Sequence, residues 1–470
     1  MTSTSSPPRA ALGLGSAAAL VVGHTIGVGV FLTPSQLLGA LASPAWALGI
    51  WIGSGLLVFA GALTLGELAA RHPRSGGLYV YLSEAFGPRA AVVYGWQALL
   101  VMDPGIAAAI ALGAADYVAV LVPAAAGHQK AVALWMIWIL AAANLTGLRL
   151  GARVVNALTA IKVAAIAGVV AAAFLVGRGH AAHFVPFFAR RAGAPPIGQA
   201  LGLAFVAVFY SFGGFWEASR VAGEVRRPEK TVPRALALGV ALVTLAYAAT
   251  TAAFLYLVPF GAANDASELA RRAGDAMLAR GGPAALSAVV LLSVVVSAFA
   301  LFLMAPRLYV AMSRDGLFPA TLAVENSRGA PARATAVLAA IASMLVMSGS
   351  FSEVVAYFLC PALFFLGLSA AALFVVRRKE PAAAFAVPGY PVTPVLFLLF
   401  LGFVISAIAF SRPLQTAAGF ALTAAGLPVY EILRSRRNRG EETPRRGHGP
   451  DEVRDVPAQS GGAPETRRPA

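Results

Sequence analysis

The fold is decided by the stretch Gly23-His24-Thr25-Ile26-Gly27-Val28-Gly29-Val30-Phe31 and by its counterpart, Phe209-Tyr210-Ser211-Phe212-Gly213-Gly214-Phe215-Trp216. Each stretch places paired glycines inside a long apolar run. A glycine in a helix interior costs about 1 kcal/mol relative to alanine, so two close together favour a break. Within a bilayer, broken backbone is tolerated only where it lines a cavity or is buried in protein. The first stretch alone fits equally well with close helix packing through small residues.

The rest of the chain consists mainly of apolar runs separated by charges. It has 470 residues, of which 59% are hydrophobic and 12% charged, whereas an ordinary soluble domain is about 25% charged. This composition excludes an ordinary soluble, disordered or fibrous protein. A spanning helix needs about 20 mostly apolar residues. The charge-free segments predict twelve spans, at about residues 10–41, 45–69, 86–122, 130–148, 153–177, 197–217, 234–258, 284–313, 334–348, 352–376, 392–411 and 413–433.

The two glycine stretches occupy corresponding places among these spans. Each lies in the first span of a block of five, spans one to five and spans six to ten. Paired glycine interruptions at corresponding positions of two halves point to the binding site of a secondary transporter. Because five crossings are an odd number, the second block is inverted relative to the first. The sequence thus predicts an all-α polytopic membrane protein with a 5+5 inverted repeat, two further helices, and helices 1 and 6 broken.

The distribution of charge predicts the orientation. The formal net charge is +15, and most Lys and Arg residues lie in segments that are inside if the N-terminus is inside. The positive-inside rule therefore places both termini in the cytoplasm and the protein in the inner (plasma) membrane. The predicted parts are a cytoplasmic N-tail (1–9), a first five-helix repeat (10–177), a second, inverted repeat (197–376), helices 11 and 12 (392–433) and a disordered cytoplasmic C-tail (434–470).

The predicted breaks have a defined chemistry. A helix beginning near Val28 would direct free N–H groups and a positive dipole end at a carboxylate. Helices ending near Thr25 and near residues 210–212 would leave carbonyl groups without intrahelical partners, and these can hold an ammonium group. Donors on one side and acceptors on the other suit the zwitterion of an α-amino acid.

Several motifs, in the same order, resemble those of amino acid permeases in the amino acid–polyamine–organocation superfamily, especially bacterial relatives of the L-type amino acid transporters. They lie at residues 26–31, 67–69, 73–81, 94–96, 224–234, 305–309 and 311–319. This resemblance implies a LeuT-type fold and an amino acid ligand held by backbone groups. It also aligns Tyr210 with an occluding Phe of the family, and Val28 with a Ser. The substrate-binding residues that follow are Thr25, Ile26, Gly27, Val28, Gly29, Val30, Tyr210, Ser211, Phe212 and Gly213.

Lys162 lies within the predicted fifth span. An ionisable residue there costs about 2.5–3.5 kcal/mol on insertion scales, so we expect it to face the bundle. Snorkelling towards the membrane surface is the alternative. The family resemblance implies that this lysine takes the place of a sodium ion beside the first break. Its ammonium would then bind carbonyls near Thr25 and a hydroxyl of Ser293 or Ser297.

Three other ionisable residues have open roles. Asp103, followed by Pro104-Gly105, could relay a proton, contact substrate or cap a kinked helix. His24 could be a buried neutral histidine or a proton-sensitive residue of the pocket. Glu217 could belong to an ion pair of a gate or be a simple interfacial charge.

Together these features predict a transporter, not an enzyme. The expected substrates are neutral, small to medium L-amino acids, moved without sodium by an exchanger or a proton-coupled symporter. The alternatives are a cationic amino acid or polyamine permease and, from another class, a sensor or scaffold that binds an amino acid without moving it. We expect membrane lipid as a partner, no nucleic acid, and no cofactor or metal, because no Cys/His cluster has ligand spacing.

Overall fold

The computed structural model describes residues 12–27, 29–146, 148–175, 178–190, 193–259, 266–278, 281–380 and 383–431. Within these ranges every regular element is a helix, apart from one isolated bridge between Leu12 and Val225. The predicted tails, 1–9 and 434–470, lie outside the described residues, as does Val28.

The described part of the chain forms sixteen α-helices, supplemented by short π- and 3-10 segments. The α-helices are α1 (Leu14–Thr25), α2 (Gly29–Leu41), α3 (Pro44–Arg71), α4 (Leu78–Phe86), α5 (Pro88–Gln97), α6 (Asp103–Leu121), α7 (Gln129–Ala143), α8 (Leu148–Leu175), α9 (Ile197–Phe212), α10 (Pro228–Leu257), α11 (Ala266–Met277), α12 (Gly282–Arg314), α13 (Ala332–Ser348), α14 (Phe351–Lys379), α15 (Val392–Ser411) and α16 (Pro413–Ala424).

Among the described residues, nine helical segments are long and apolar enough to span a membrane, and α1 with α2 forms a tenth if the bent pair is one span. The shorter helices α13 and α16 fall on the remaining two predicted spans. The prediction of an all-α polytopic membrane protein is confirmed.

Several predicted boundaries need correction. The third span begins at Pro88 and not at 86, because Gly87, with φ of 84°, separates α4 from α5. The sixth span does not end at 217, because a 3-10 helix continues it through Phe215–Glu224. Helices α4 and α11 connect spans, and charge-free length does not predict them because both contain charged residues.

Both predicted breaks are present. Helix α1 ends at Thr25, α2 begins at Gly29, and their axes differ by 48°. Helix α9 ends at Phe212 and is followed by Gly213 and Gly214. Gly214 has φ of +99°, a conformation that side-chain-bearing residues rarely adopt.

Backbone pairing defines two ends of the bundle. Leu12 donates from its N–H to the carbonyl of Glu224 (3.0 Å), and the N–H of Arg226 donates to the carbonyl of Leu12 (2.8 Å). The beginning of α1 and the end of the 3-10 helix therefore lie together, at what we call the near side. The far side is the opposite end, where α2 ends and α3 begins.

The near side is further fixed by the buried carboxylate of Glu67. It accepts hydrogen bonds from Arg71 on its own helix, from Arg377 of α14 (2.5 and 2.9 Å) and from the N–H of Val387 (2.7 Å). A buried carboxylate is tolerated when it is paired and hydrogen-bonded in this way. Glu67 thereby joins α3 to α14 and to the segment before α15.

Small residues allow the helices to approach closely, as is usual in membrane bundles. Gly61 of α3 is in contact with the ring of Phe397 from α15, and a Cβ atom added there would lie 2.5 Å from two ring carbons. On the same helix Gly53 faces open space, with no atom within 4 Å of such a Cβ. Only the first of these glycines is required by packing.

We therefore expect Gly61→Ala to lower the free energy of unfolding by about 1–3 kcal/mol, because the methyl group overpacks the contact with Phe397. Gly53→Ala is the matched control and should leave stability unchanged or raise it, because alanine has the higher helix propensity. Thermal unfolding of the purified variants in detergent measures both effects. Equal melting temperatures for the two variants would contradict the packing explanation.

Candidate functional site

A small cavity lies between the two helix breaks. Its volume is about 40 Å³. Both broken helices contribute to its wall, together with α6 and α14. The lining residues are His24, Thr25, Gly27, Gly29, Ile106, Ile110, Tyr210, Ser211, Gly213, Trp216, Phe358, Leu359 and Ala362.

Lys162 belongs to α8, and its side chain lies against the end of α1 and is fully buried. Its Nζ atom donates to the carbonyl oxygen of Gly23 (2.9 Å), to that of Ile26, and to Oγ of Ser297 (3.1 Å). These three acceptors match the three donors of an ammonium group. The side chain therefore satisfies backbone carbonyls that the interruption of α1 leaves without intrahelical partners.

The hydroxyl on α12 that meets Lys162 belongs to Ser297. Its Oγ also lies 3.0 Å from the carbonyl of Gly23 and 2.8 Å from that of Ile26. Ser293, one turn earlier, is buried and its Oγ contacts no hydrogen-bond partner among the described residues. Of the two serines considered from the sequence, the structure brings Ser297 to the lysine.

Tyr247 of α10 joins the two breaks. Its hydroxyl lies 2.9 Å from the carbonyl of Thr25, at the end of α1, and 2.7 Å from the carbonyl of Ser211, near the end of α9. The ring packs against Trp51, with centroids 4.7 Å apart, and against Phe212 at 5.5 Å. One hydroxyl thus serves the carbonyl ends of both interrupted helices.

The far-side halves of the broken helices, α2 and α9, are also in direct contact. A Cβ atom at Gly29 would lie 2.4 Å from Oγ of Ser211, so glycine is required where the helices meet. Oγ of Ser211 in turn lies 2.6 Å from Oγ1 of Thr33, one turn along α2. The first N–H groups of α2 therefore begin immediately beside the last turn of α9.

Two buried polar atoms of cavity-lining residues have no hydrogen-bond partner among the described residues. They are Nδ1 of His24 and Oγ1 of Thr25. Leaving a buried donor or acceptor unpaired costs about 1–3 kcal/mol. The cavity therefore offers hydrogen-bonding capacity to a ligand in addition to the ends of the helices.

Tyr210 separates the cavity from the far side. Tyr210 and Leu359 line both the central cavity and a larger opening beyond it, which also includes Gln36 and Arg412. The Tyr210 ring meets that of Phe351 edge-on, with centroids 5.6 Å apart. On the far side the cavity is thus closed by a layer of side chains.

The near side is closed by a buried charge cluster. Arg220, on the 3-10 helix, holds Asp103 with both terminal nitrogens: Nη1 lies 3.1 Å from Oδ2 and Nη2 lies 3.2 Å from Oδ1. The Tyr309 hydroxyl donates to Oδ2 of Asp103 (2.7 Å), and Nη2 of Arg220 lies 3.3 Å from the hydroxyl of Tyr94. Asp103 ends a π-helical segment, Ala98–Met102, and precedes Pro104. Proline lacks an N–H group, which permits the wider turn.

Glu217 is the second carboxylate of this cluster. Its Oε2 lies 2.6 Å from Nε of Arg220, and both side chains are fully buried. The side chain of Trp216, the preceding residue, also interacts with this carboxylate.

The structure thus distributes the predicted site residues among three places. Thr25, Gly27, Gly29, Tyr210, Ser211 and Gly213 line the cavity, with His24. Ile26, Val30 and Phe212 are buried beside it. Asp103 and Glu217 lie in the near-side cluster, and Lys162 lies at the end of α1.

Sequence reasoning missed Arg220, Tyr247 and Trp216. A signal existed for Arg220, because Glu217 stands three residues before it and a carboxylate at Asp103 within a span requires a partner. Trp216 is the last residue of the second glycine stretch, but the sequence assigns it no role. The sequence carries no comparable signal for Tyr247, because its partners are carbonyl groups exposed only by the breaks.

Comparisons with known proteins show what the chain is similar to. The family model described as amino acid permease matches residues 12–430. The human b(0,+)-type amino acid transporter 1 is 30% identical, over 86% of this chain and 83% of its own length. The human cystine/glutamate transporter is 29% identical, over 88% and 83%. The serine/threonine exchanger SteT of Bacillus subtilis (strain 168) is 26% identical, over 91% and 97%.

The position of Tyr247 leads to a prediction on stability. Tyr247→Phe keeps the ring contacts but removes the donor shared by the carbonyls of Thr25 and Ser211, so we expect a loss of about 1–3 kcal/mol in the free energy of unfolding. Tyr256→Phe, on the same helix with a half-buried ring against Phe174, is the control. Thermal unfolding of both purified variants tests this. A Tyr247→Phe protein as stable as the control would show that the hydroxyl does not hold the breaks.

Proposed function

The chain belongs to the amino acid permease family, and on this premise we propose that it moves neutral, small to medium L-amino acids across the plasma membrane by alternating access, without sodium. The observation that carries the proposal is the cavity between the two helix breaks. N–H groups at the start of α2 and carbonyl groups at the ends of α1 and α9 meet there.

A zwitterion fits this arrangement of backbone groups. The start of α2 at Gly29 supplies N–H donors and a positive dipole end for the carboxylate. The carbonyls of Tyr210 and Ser211 each accept one bond already, from the N–H of Gly213 (3.0 Å) and the hydroxyl of Tyr247. A carbonyl oxygen has two lone pairs, so both retain capacity for an ammonium group.

The wall of the cavity favours a neutral side chain. None of its described lining residues is Asp, Glu, Lys or Arg. Asp103 begins α6, the helix that contributes Ile106 and Ile110 to the cavity wall, and its carboxylate is held by both terminal nitrogens of Arg220. A cationic amino acid or a polyamine would thus find no free countercharge in the wall, and this argues against that alternative.

The size and polarity of the cavity further restrict the range of expected substrates. The small volume favours short side chains, and the unpaired atoms of His24 and Thr25 favour one that forms hydrogen bonds. We therefore expect serine to be a better substrate than leucine. One similar protein is itself named a serine/threonine exchanger.

Lys162 supports independence from sodium. Its ammonium already binds the carbonyls of Gly23 and Ile26 and the hydroxyl of Ser297, which are oxygen ligands of the kind that a cation would otherwise require. We propose that the lysine is a permanent substitute for a coupling ion.

The helix order supports a 5+5 inverted repeat, with the near side facing the cytoplasm. Lys and Arg concentrate on that side, which the positive-inside rule assigns to the cytoplasm. The N-terminal five-span block and the second block each begin with a helix interrupted at glycines. In this orientation the cavity would open outwards past Tyr210 and inwards past the Arg220 cluster.

Uptake of labelled serine into sodium-free proteoliposomes tests the proposal. We expect flux into vesicles loaded with unlabelled serine, with leucine and lysine competing poorly. Comparable uptake into empty vesicles would indicate net transport, and uptake only into loaded ones would indicate obligatory exchange. Binding of serine without flux in either preparation would contradict the proposal and favour a sensor or scaffold.

Lys162→Met gives a second prediction. The substitution keeps a long apolar chain but removes the ammonium, so the carbonyls at the end of α1 lose their donor and we expect serine flux to fall at least tenfold, a change equivalent to about 1.4 kcal/mol. Arg153→Met, which removes an exposed charge from the same helix, is the control. Flux per correctly inserted protein is the quantity to compare. Equal flux in the two variants would exclude the role proposed for Lys162.

A further inference from the structure

The described wall of the central cavity contains five side chains that can form hydrogen bonds: His24, Thr25, Tyr210, Ser211 and Trp216. Three of them are engaged or face elsewhere. Oγ of Ser211 donates to the carbonyl of Ala207 (3.1 Å), and the side chain of Trp216 interacts with Glu217. Tyr210 lies in the layer between the cavity and the far-side opening. The remaining two are adjacent in the sequence and each has an unpaired polar atom.

Of these two, Thr25 can be satisfied without a ligand. Its hydroxyl can turn to the carbonyl four residues earlier in its own helix, a contact that helical Ser and Thr side chains often make. Thr64 and Thr250 make it here, with distances of 2.7 and 2.8 Å. The unpaired Nδ1 of His24 is thus the wall atom that most needs a partner from the ligand.

Packing prevents the His24 ring from turning away to find another partner. His24 is the last residue but one of α1, and its ring lies against Gly214, in the second break. A Cβ atom at Gly214 would lie 2.2 Å from Cδ2 of the ring and 2.8 Å from Nε2. Contact with the second break therefore fixes the ring in the wall of the cavity.

The surroundings of His24 keep its ring neutral. The charged groups that act on it are Arg220 and Lys162, and both are cations. A third positive charge would be buried beside them without a counterion, which is costly. A neutral imidazole has one nitrogen that donates and one that accepts. It can therefore form hydrogen bonds with an uncharged polar group but offers no countercharge to a cation or an anion.

We propose that His24 selects the substrate by its side chain, forming a hydrogen bond with a hydroxyl or carboxamide group, so that the protein prefers serine to alanine and threonine to valine. The proposal rests on the permease function proposed above and names its substrate class: amino acids with short, uncharged, hydrogen-bonding side chains. Alanine would leave Nδ1 of His24 unpaired, and a site built around a polar group rejects such an analogue for this reason.

Counterflow into sodium-free proteoliposomes tests the proposal. The vesicles are loaded with one unlabelled mixture of serine, alanine, threonine and valine, and kcat/KM is measured for each labelled amino acid outside. Serine and alanine differ by one hydroxyl, and threonine and valine have nearly the same shape, so each pair separates polarity from size. We expect a preference of about tenfold within each pair, because an unpaired buried polar atom is costly enough to account for this factor.

His24→Leu is the test variant, because leucine fills similar space without a ring nitrogen. We expect both preferences to fall to about one, with alanine still carried. His72→Leu is the matched control, because His72 is also buried and its Nε2 is also unpaired among the described residues, but it ends α3 and does not line the cavity. It should keep both preferences. A ratio within one preparation does not depend on how much protein is inserted.

Thr25→Val removes the other unpaired atom with little change of shape, and whatever its effect on rate, it should keep the preference for serine. The outcomes separate the two proposals. Equal transport of serine and alanine by the wild-type protein would overturn selection by hydrogen bonding and leave the permease function in place. A preference retained by His24→Leu, or lost in Thr25→Val, would overturn the assignment to His24.

An inactive His24→Leu protein does not prevent a decision. The wild-type ratios then show whether polarity is selected, and Thr25→Val shows whether the hydroxyl next to His24 is responsible instead. Absence of counterflow for all four amino acids in the wild-type protein would overturn the permease function itself.

Discussion

The structure depends on how the broken end of α1 is satisfied in the middle of an apolar bundle. A helix that stops within a bilayer leaves carbonyl groups that neither water nor lipid can pair. The ammonium of Lys162 supplies three donors at that point and uses them on Gly23, Ile26 and Ser297. A buried ammonium group without acceptors would be costly, and so would buried carbonyl groups without donors. Here each supplies the hydrogen-bond partner that the other lacks. The break can therefore persist beside a cavity instead of closing into a continuous helix.

The second break is satisfied in a different way, and the difference bears on motion. At the end of α9 the carbonyls of Tyr210 and Ser211 receive a backbone N–H and the hydroxyl of Tyr247, with no cation involved. A hydroxyl contact of this kind is weaker than a charge-assisted one and is more easily exchanged. Gly213 and Gly214 follow directly, and Gly214 packs so closely on His24 that an added Cβ would lie 2.2 Å from the ring. The first break is thus stabilised by hydrogen bonds from a charged group. The second is stabilised by weaker, neutral hydrogen bonds and is followed by two glycines.

Much of this could be predicted from the sequence, because it follows from local patterns. The glycine pairs, the charge-free lengths and the cost of Lys162 in a span are visible in the chain itself, and the all-α membrane architecture and both breaks are confirmed. Contacts between distant segments were not predictable in the same way. The fork between Arg220 and Asp103 joins residues 117 positions apart, and the sequence shows only that each needs a partner. The role of Tyr247 could not be predicted, because its partners are backbone carbonyl groups, which every residue has.

The near-side cluster shows how a tertiary contact can separate two chemically similar groups. Asp103 and Glu217 are both carboxylates, both fully buried and both beside the same guanidinium group. Asp103 accepts hydrogen bonds from the two-nitrogen fork of Arg220 and from the Tyr309 hydroxyl. Glu217 instead contacts Nε of Arg220 at 2.6 Å and the side chain of Trp216, without a two-nitrogen fork. Glu217 and Arg220 both lie on the 3-10 helix Phe215–Glu224. That helix begins at the glycine hinge and contains Arg220, so the element that closes the near side is also the element whose displacement changes the environment of Glu217.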